Sequence, residues 1–119
     1  MAWCRSTFEV CYRPFLEIDD CYFSHVEPWR DLNDIMGLWH FEPLDVEKSF
    51  AAVSKRVIFT GHRHRWLLAT QHGVTDWDGS EPIVLAAPQR YFVAVSAVCE
   101  GWAATYDTES AKLVPIFLL

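Results

Sequence analysis

From Arg5 to Arg13 the apolar residues Phe8, Val10 and Tyr12 alternate with Thr7, Glu9 and Cys11. A period of two is that of a half-buried strand, here ended by Pro14. Phe15 to Ile18 reads as a short second strand, and Asp19-Asp20 as the polar turn that closes it. From Pro28 the period changes. Trp29, Leu32, Ile35, Met36 and Trp39 share one stripe at 100° per residue, which predicts a helix. Pro28 suits its first position, where the missing N–H would have no intrahelical partner. Ser24 and Glu27 add a weak capping signal, and Asp31 and Asp34 sit near the positive end of the dipole. A second helix is predicted from Pro43 or Leu44 to Lys55, with Val46, Phe50, Val53 and Val57 in phase. The two are expected to form a helical hairpin.

Beyond it the chain changes to short β-branched and aromatic runs between turn residues: Val57 to Thr60, Arg65 to Thr70, Ile83 to Ala87, Arg90 to Cys99, Trp102 to Tyr106 and Leu113 to Leu118. These predict strands. Tyr91 to Cys99 is apolar on both faces and should be central, and the separators Pro88-Gln89 and Glu100-Gly101 suggest an antiparallel hairpin on each side of it. Pro115 cannot donate to a ladder, which assigns the last strand an edge or a bulge there. The expected fold class is α+β: an antiparallel β-sheet of about five to seven strands, with the helical hairpin of the N-terminal half packed on one face.

Composition narrows the class. Leu, Ile, Val and Phe account for 34 of 119 residues, far too many for a disordered chain, and the length suits residues 1–119 as a single compact domain. No apolar run approaches the roughly 18 to 20 residues that span a bilayer. No secretory signal is read at the N-terminus, so the expected location is cytoplasmic, with the four cysteines as free thiols. The net charge of −6 is uneven. Residues 1–54 hold four Lys and Arg against ten Asp and Glu, whereas 55–65 hold Lys55, Arg56, Arg63 and Arg65 and no acid. An acidic half argues against general nucleic-acid binding. The basic island is expected to pair with the acidic half, within the chain or across a homodimer.

Candidate chemistry is sparse. His62-x-His64 with His72 is the best metal-ligand group, because alternate strand residues share a face. Gly61-His62-Arg63-His64 also reads as a hairpin turn, and a third ligand such as His72, Asp76 or Asp78 would have to fold back. Cys21-x3-His25, with Cys11 and His40, has gaps too wide for structural zinc. Asp76-Trp77-Asp78-Gly79 begins like a calcium loop but lacks the later ligands, so it reads as a turn. No nucleophile elbow, Cys–His signature or phosphate-cradling glycine loop is present. No metal or cofactor is expected to be required, and catalysis is not the expected role.

These features suit a small acidic protein-binding module, a stoichiometric inhibitor of the immunity-protein or phage anti-defence type. Its expected partner is a protein with a basic surface, met by Asp19, Asp20, Asp31, Asp34, Glu42, Asp45 and Glu47, with Trp77 as the aromatic anchor. The alternatives are a metal-binding enzyme or sensor built on His62, His64 and His72, or a structural subunit of a larger assembly.

Overall fold

A computed structural model describes residues 14–31 and 44–119. Nine strands and one α-helix are found there. They are β1 (Phe15–Ile18), β2 (Cys21–Ser24), α1 (Val46–Ala52), β3 (Val57–Thr60), β4 (Leu67–Thr70), β5 (Gly73–Val74), β6 (Ile83–Val84), β7 (Tyr91–Ala94), β8 (Trp102–Asp107) and β9 (Lys112–Phe117). A six-stranded sheet runs in the order β1-β2-β3-β7-β4-β5, and a three-stranded antiparallel sheet in the order β6-β9-β8.

This corrects the α+β expectation in two respects. The helical hairpin is absent among the described residues. Of the predicted first helix, only the segment from Pro28 to Asp31 is described, and it is a turn, with Arg30 N–H donating to Glu27 O at 3.1 Å. The rest lies outside the described residues, as does the alternating run from Arg5 to Arg13. The second correction concerns direction. The large sheet is mixed: β2 pairs with β3 and β3 with β7 in parallel. Pro88-Gln89 and Glu100-Gly101 do not turn β7 back on its sequence neighbours. β7 instead lies between β3 and β4, with Ile58 opposite Phe92 and Leu68 opposite Val93.

Burial explains that choice. All four residues of β3 are buried, as are Phe92, Val93 and Ala94 of β7, so both strands need cover on two faces. Strands apolar on both faces belong inside a sheet covered on each side, the setting of parallel pairs. Val57, Phe59, Leu68 and Val93 face the small sheet and meet Leu85 and Leu113 across the interface. Ile58, Leu67, Ala69, Phe92 and Ala94 face the other way, against Val53, Val46 and Phe50 of the α1 region. α1 is the crossover between the parallel strands β2 and β3, which a hairpin loop could not join. The molecule is thus layered as helix, mixed sheet and second sheet.

Three polar devices hold the layers. Asp45 caps α1 by accepting from Lys48 N–H at 3.0 Å. At the other end the Arg90 guanidinium donates to the carbonyl of Phe50, one that a helix leaves without an internal partner, and to those of Val53 and Lys55 just beyond. Arg56 ties the two sheets together. Its guanidinium meets Asp20 Oδ2 at 2.6 Å in the β1–β2 turn and donates to Leu85 O at 2.7 Å and Gln89 O at 3.0 Å. On the outside, Trp66 packs edge-on against Trp77 and Trp102, and Trp102 against Phe117, closing the seam between the sheets. Pro115 fits its strand because β6 pairs only with Lys112 and Leu113, so β9 has one neighbour where the proline stands.

The Arg56 guanidinium bonded to Asp20 holds its carboxyl below the ordinary 3.8. A carboxyl depressed in the folded state adds stability above its unfolded pKa and loses it as pH falls through the folded one. Asp20 is 44% exposed at the side chain, so screening keeps this below about 1 kcal/mol. Asp20→Asn should therefore lower the urea midpoint slightly at pH 7, with the difference from wild type vanishing below pH 3.8. Phe92→Ala, at a fully buried position between helix and sheet, should cost about 3 to 5 kcal/mol in the same measurement.

Candidate functional site

Parallel pairing sends the ends of β2, β3 and β7 to one edge of the sheet. In open sheets of this kind, ligands are taken at the carboxyl ends of parallel strands. β2 runs directly into His25, and β3 into Gly61-His62-Arg63-His64. β7 is followed by a segment carrying Cys99 and Glu100. Two histidines 37 positions apart meet there, with His25 Nε2 at 3.2 Å from His62 Nδ1 and the rings nearly perpendicular. Gly61 N–H donates to His25 O at 2.9 Å, extending the β2–β3 ladder into the site. Partial burial, with the neighbouring His62 and His64 rings, pushes His25 below the ordinary 6.5 and so favours the neutral imidazole that can act as a ligand.

The β3 end is strained. Arg63 N–H donates to Gly61 O at 2.7 Å, closing a three-residue turn about His62, whose φ is 66°. His64 also has a positive φ, 57°. Left-handed backbone is costly for residues with a Cβ and persists where the surroundings over-determine it, often at functional sites. His64 Nδ1 lies 3.7 Å from Glu100 Oε1 and 3.9 Å from Cys99 Sγ. Beneath the loops, the buried Glu27 takes Arg63 Nε on Oε1 at 2.8 Å and Arg30 Nε on Oε2.

The other predicted site residues fall elsewhere. His72 is in the exposed turn after β4, and because Thr70 pairs with Tyr91 at the start of β7, it lies at the opposite edge from His62. Cys21 is at the far end of β2 from His25, paired with Val57, where burial and the neighbouring Asp20 push its thiol up to about 12. Cys11 and His40 lie outside the described residues. Asp19 is exposed at the β1–β2 turn, Asp20 is bound to Arg56, Asp45 caps α1, and Glu47 is exposed in its first turn. Asp31 is exposed, while Asp34 and Glu42 lie outside the described residues. Trp77 is half-buried and packed on the core, its Nε1–H given to Glu81 O at 2.8 Å. Asp78 accepts from Ser80 N–H at 3.0 Å, making the tight turn its sequence suggests.

Sequence reasoning paired His25 with Cys21 and missed its meeting with His62. A signal was present, since two apolar runs, Cys-Tyr-Phe-Ser and Val-Ile-Phe-Thr-Gly, each lead straight into a histidine. Such runs bring their terminal residues together only if the strands lie side by side in the same direction.

Among the described residues, no group of three or more His, Cys, Asp and Glu is close enough to hold a metal ion by itself. The histidine pair nevertheless has suitable donor chemistry. Two imidazole nitrogens 3.2 Å apart, each at about 2.0–2.1 Å from one ion, subtend roughly 100°, near the tetrahedral value. The same spacing also suits an N–H···N hydrogen bond between the rings.

No family model and no curated protein matches the chain. Among solved structures, it is similar in fold to a metallophosphoesterase from Sphaerobacter thermophilus, with a TM-score of 0.73 and 14% sequence identity. The match covers 95% of this chain and 49% of that one, so the chain spans about half of that protein's length. At this identity the likeness is one of fold.

Backbone strain in the His62–His64 loop has a measurable consequence. His64→Gly should raise the urea midpoint, by about 1 kcal/mol in stability, because glycine adopts its φ of 57° without penalty. Ala111→Gly, at the same φ in the β8–β9 turn, gives the reference for a strained residue remote from the site. A His64→Gly protein less stable than wild type would show that the ring is held by contacts worth more than the strain.

Proposed function

We propose that this strand edge contributes the histidine part of a divalent-metal centre that hydrolyses phosphoesters. The carrying observation is the convergence of His25 and His62, at ligand spacing, on the carboxyl ends of parallel strands. The fold likeness supports the reaction class, since the neighbour is a metallophosphoesterase. His25 Nε2 and His62 Nδ1 are the atoms that would hold the ion. A divalent ion held there would supply Lewis-acid polarisation of a phosphoryl oxygen. The chain's own residues set the shape of the site, with His64 Nδ1 standing 3.7 Å from Glu100 Oε1 beside it. The main-chain bond from Gly61 to His25 keeps the two ligand loops at one height above the sheet.

This reading uses His62 and His64 and leaves out His72. It accounts for more of the geometry than a stoichiometric inhibitor does. Two of the acids assigned to an inhibitory face, Asp20 and Asp45, are spent on Arg56 and on the helix cap, and the aromatic anchor Trp77 is packed on the core.

Paramagnetic Mn2+ added in substoichiometric amounts provides the test, read in the imidazole NMR signals. Those of His25, His62 and His64 should broaden first, while His72, at the opposite edge of the sheet, stays sharp. Equal broadening of all four, or none, would return the His25–His62 contact to an inter-ring hydrogen bond. In His25→Ala the selective broadening should disappear.

A further inference from the structure

We propose that Glu27 is a positioning residue, which acts through Arg63 to fix the spacing of His25 and His62. The inference rests on the metal-centre reading above, and its test separates the two. Glu27 stands two residues after His25, and Arg63 lies between His62 and His64. The ion pair at 2.8 Å therefore joins the same two loops whose histidines meet. It runs alongside two other links, the Gly61 to His25 backbone bond at 2.9 Å and the ring contact at 3.2 Å.

Burial indicates why a charged pair serves here. The side chains of Glu27, Arg63 and Arg30 are 5%, 10% and 6% exposed, so all three charges are largely removed from water. Desolvation offsets most of the Coulomb attraction of such groups, which makes a buried ion pair a poor source of net stability. Its value lies in direction. A guanidinium offers donors in a fixed plane, and a carboxylate held by two of them is immobilised in both position and rotation. Arg63 is flanked by two left-handed residues, and a loop in that state keeps its shape only where its surroundings constrain it. The Glu27 carboxylate supplies that constraint from the β2 side. Groups that orient metal ligands from behind act in this way on affinity without touching the ion.

The experiment compares Glu27→Gln with Arg63→Lys, a milder change that keeps a cation in the loop. Two readouts are taken on the whole chain: the nuclear Overhauser contact between the His25 and His62 rings without metal, and the dissociation constant for Zn2+ alone. In both variants the ring contact should be lost and the Zn2+ dissociation constant should rise about tenfold or more. The His72 and core methyl signals should stay at their wild-type positions. If Glu27→Gln unfolds, Arg63→Lys decides. Folded variants that keep the ring contact and bind Zn2+ as the wild type does would overturn the inference, leaving the ion pair a packing element. Should the wild type fail to take up Zn2+ while the variants still lose the ring contact, the metal reading falls and the positioning role stands.

Discussion

The parallel pairing of β2, β3 and β7 is the constraint on which the rest of the molecule depends. In an antiparallel arrangement the chain after β2 and the chain after β3 would leave from opposite edges, and His25 could not approach His62. The parallel register places Tyr22 beside Ile58 and Phe23 beside Phe59, so the two chains leave the sheet at the same height. It also requires a crossover, which α1 supplies, and cover on both faces, which α1 and the small sheet supply. Site and core are therefore two results of one pairing decision.

Charged side chains fasten that arrangement at both edges of the sheet. Arg56 works at the edge where β3 and β7 begin, joining the β1–β2 turn to the carbonyls of Leu85 and Gln89. Arg63 works where they end, on Glu27. Arg90 binds the end of the helix to the start of β7. The guanidinia of Arg56 and Arg90 each reach several acceptors, which a lysine with one ammonium could not match in direction. Much of the basic island is thus used within the chain, at positions that define loop geometry.

A centre divided in this way has a physical rationale. The histidines sit on strand ends held by a closed core, while the loop after β3 carries backbone strain at His62 and His64. Rigid strands set where the imidazoles begin, and strain with buried ion pairs sets where they point. Histidine spacing and global stability are therefore separate observables here.

Local periodicity determined much of the element list. Phe15–Ile18, the helix ending before Val57, the β3 run and the two final strands are all legible in it, because each is a short-range pattern set by the spacing of apolar side chains. The central place of the run read from Tyr91 to Cys99 was legible too, since a run apolar on both faces needs two covers, although the strand itself ends at Ala94. Partners were not. Two-residue separators look alike whether they turn a hairpin or merely end a strand, and only the competition for buried positions placed β7 against Val57–Thr60. The stripe from Trp29 to Trp39 led to a first helix whose described part, the segment from Pro28 to Asp31, is a turn. The meeting of His25 and His62 was hidden for the same reason. His72 is nearer to His62 in sequence than His25 is, yet the register of β4 against β7 carries it to the far edge, while parallel pairing brings His25 across 37 positions. The residue types that could do chemistry were written in the chain, but which of them face one another was decided by strand direction, a tertiary property that no local pattern encodes.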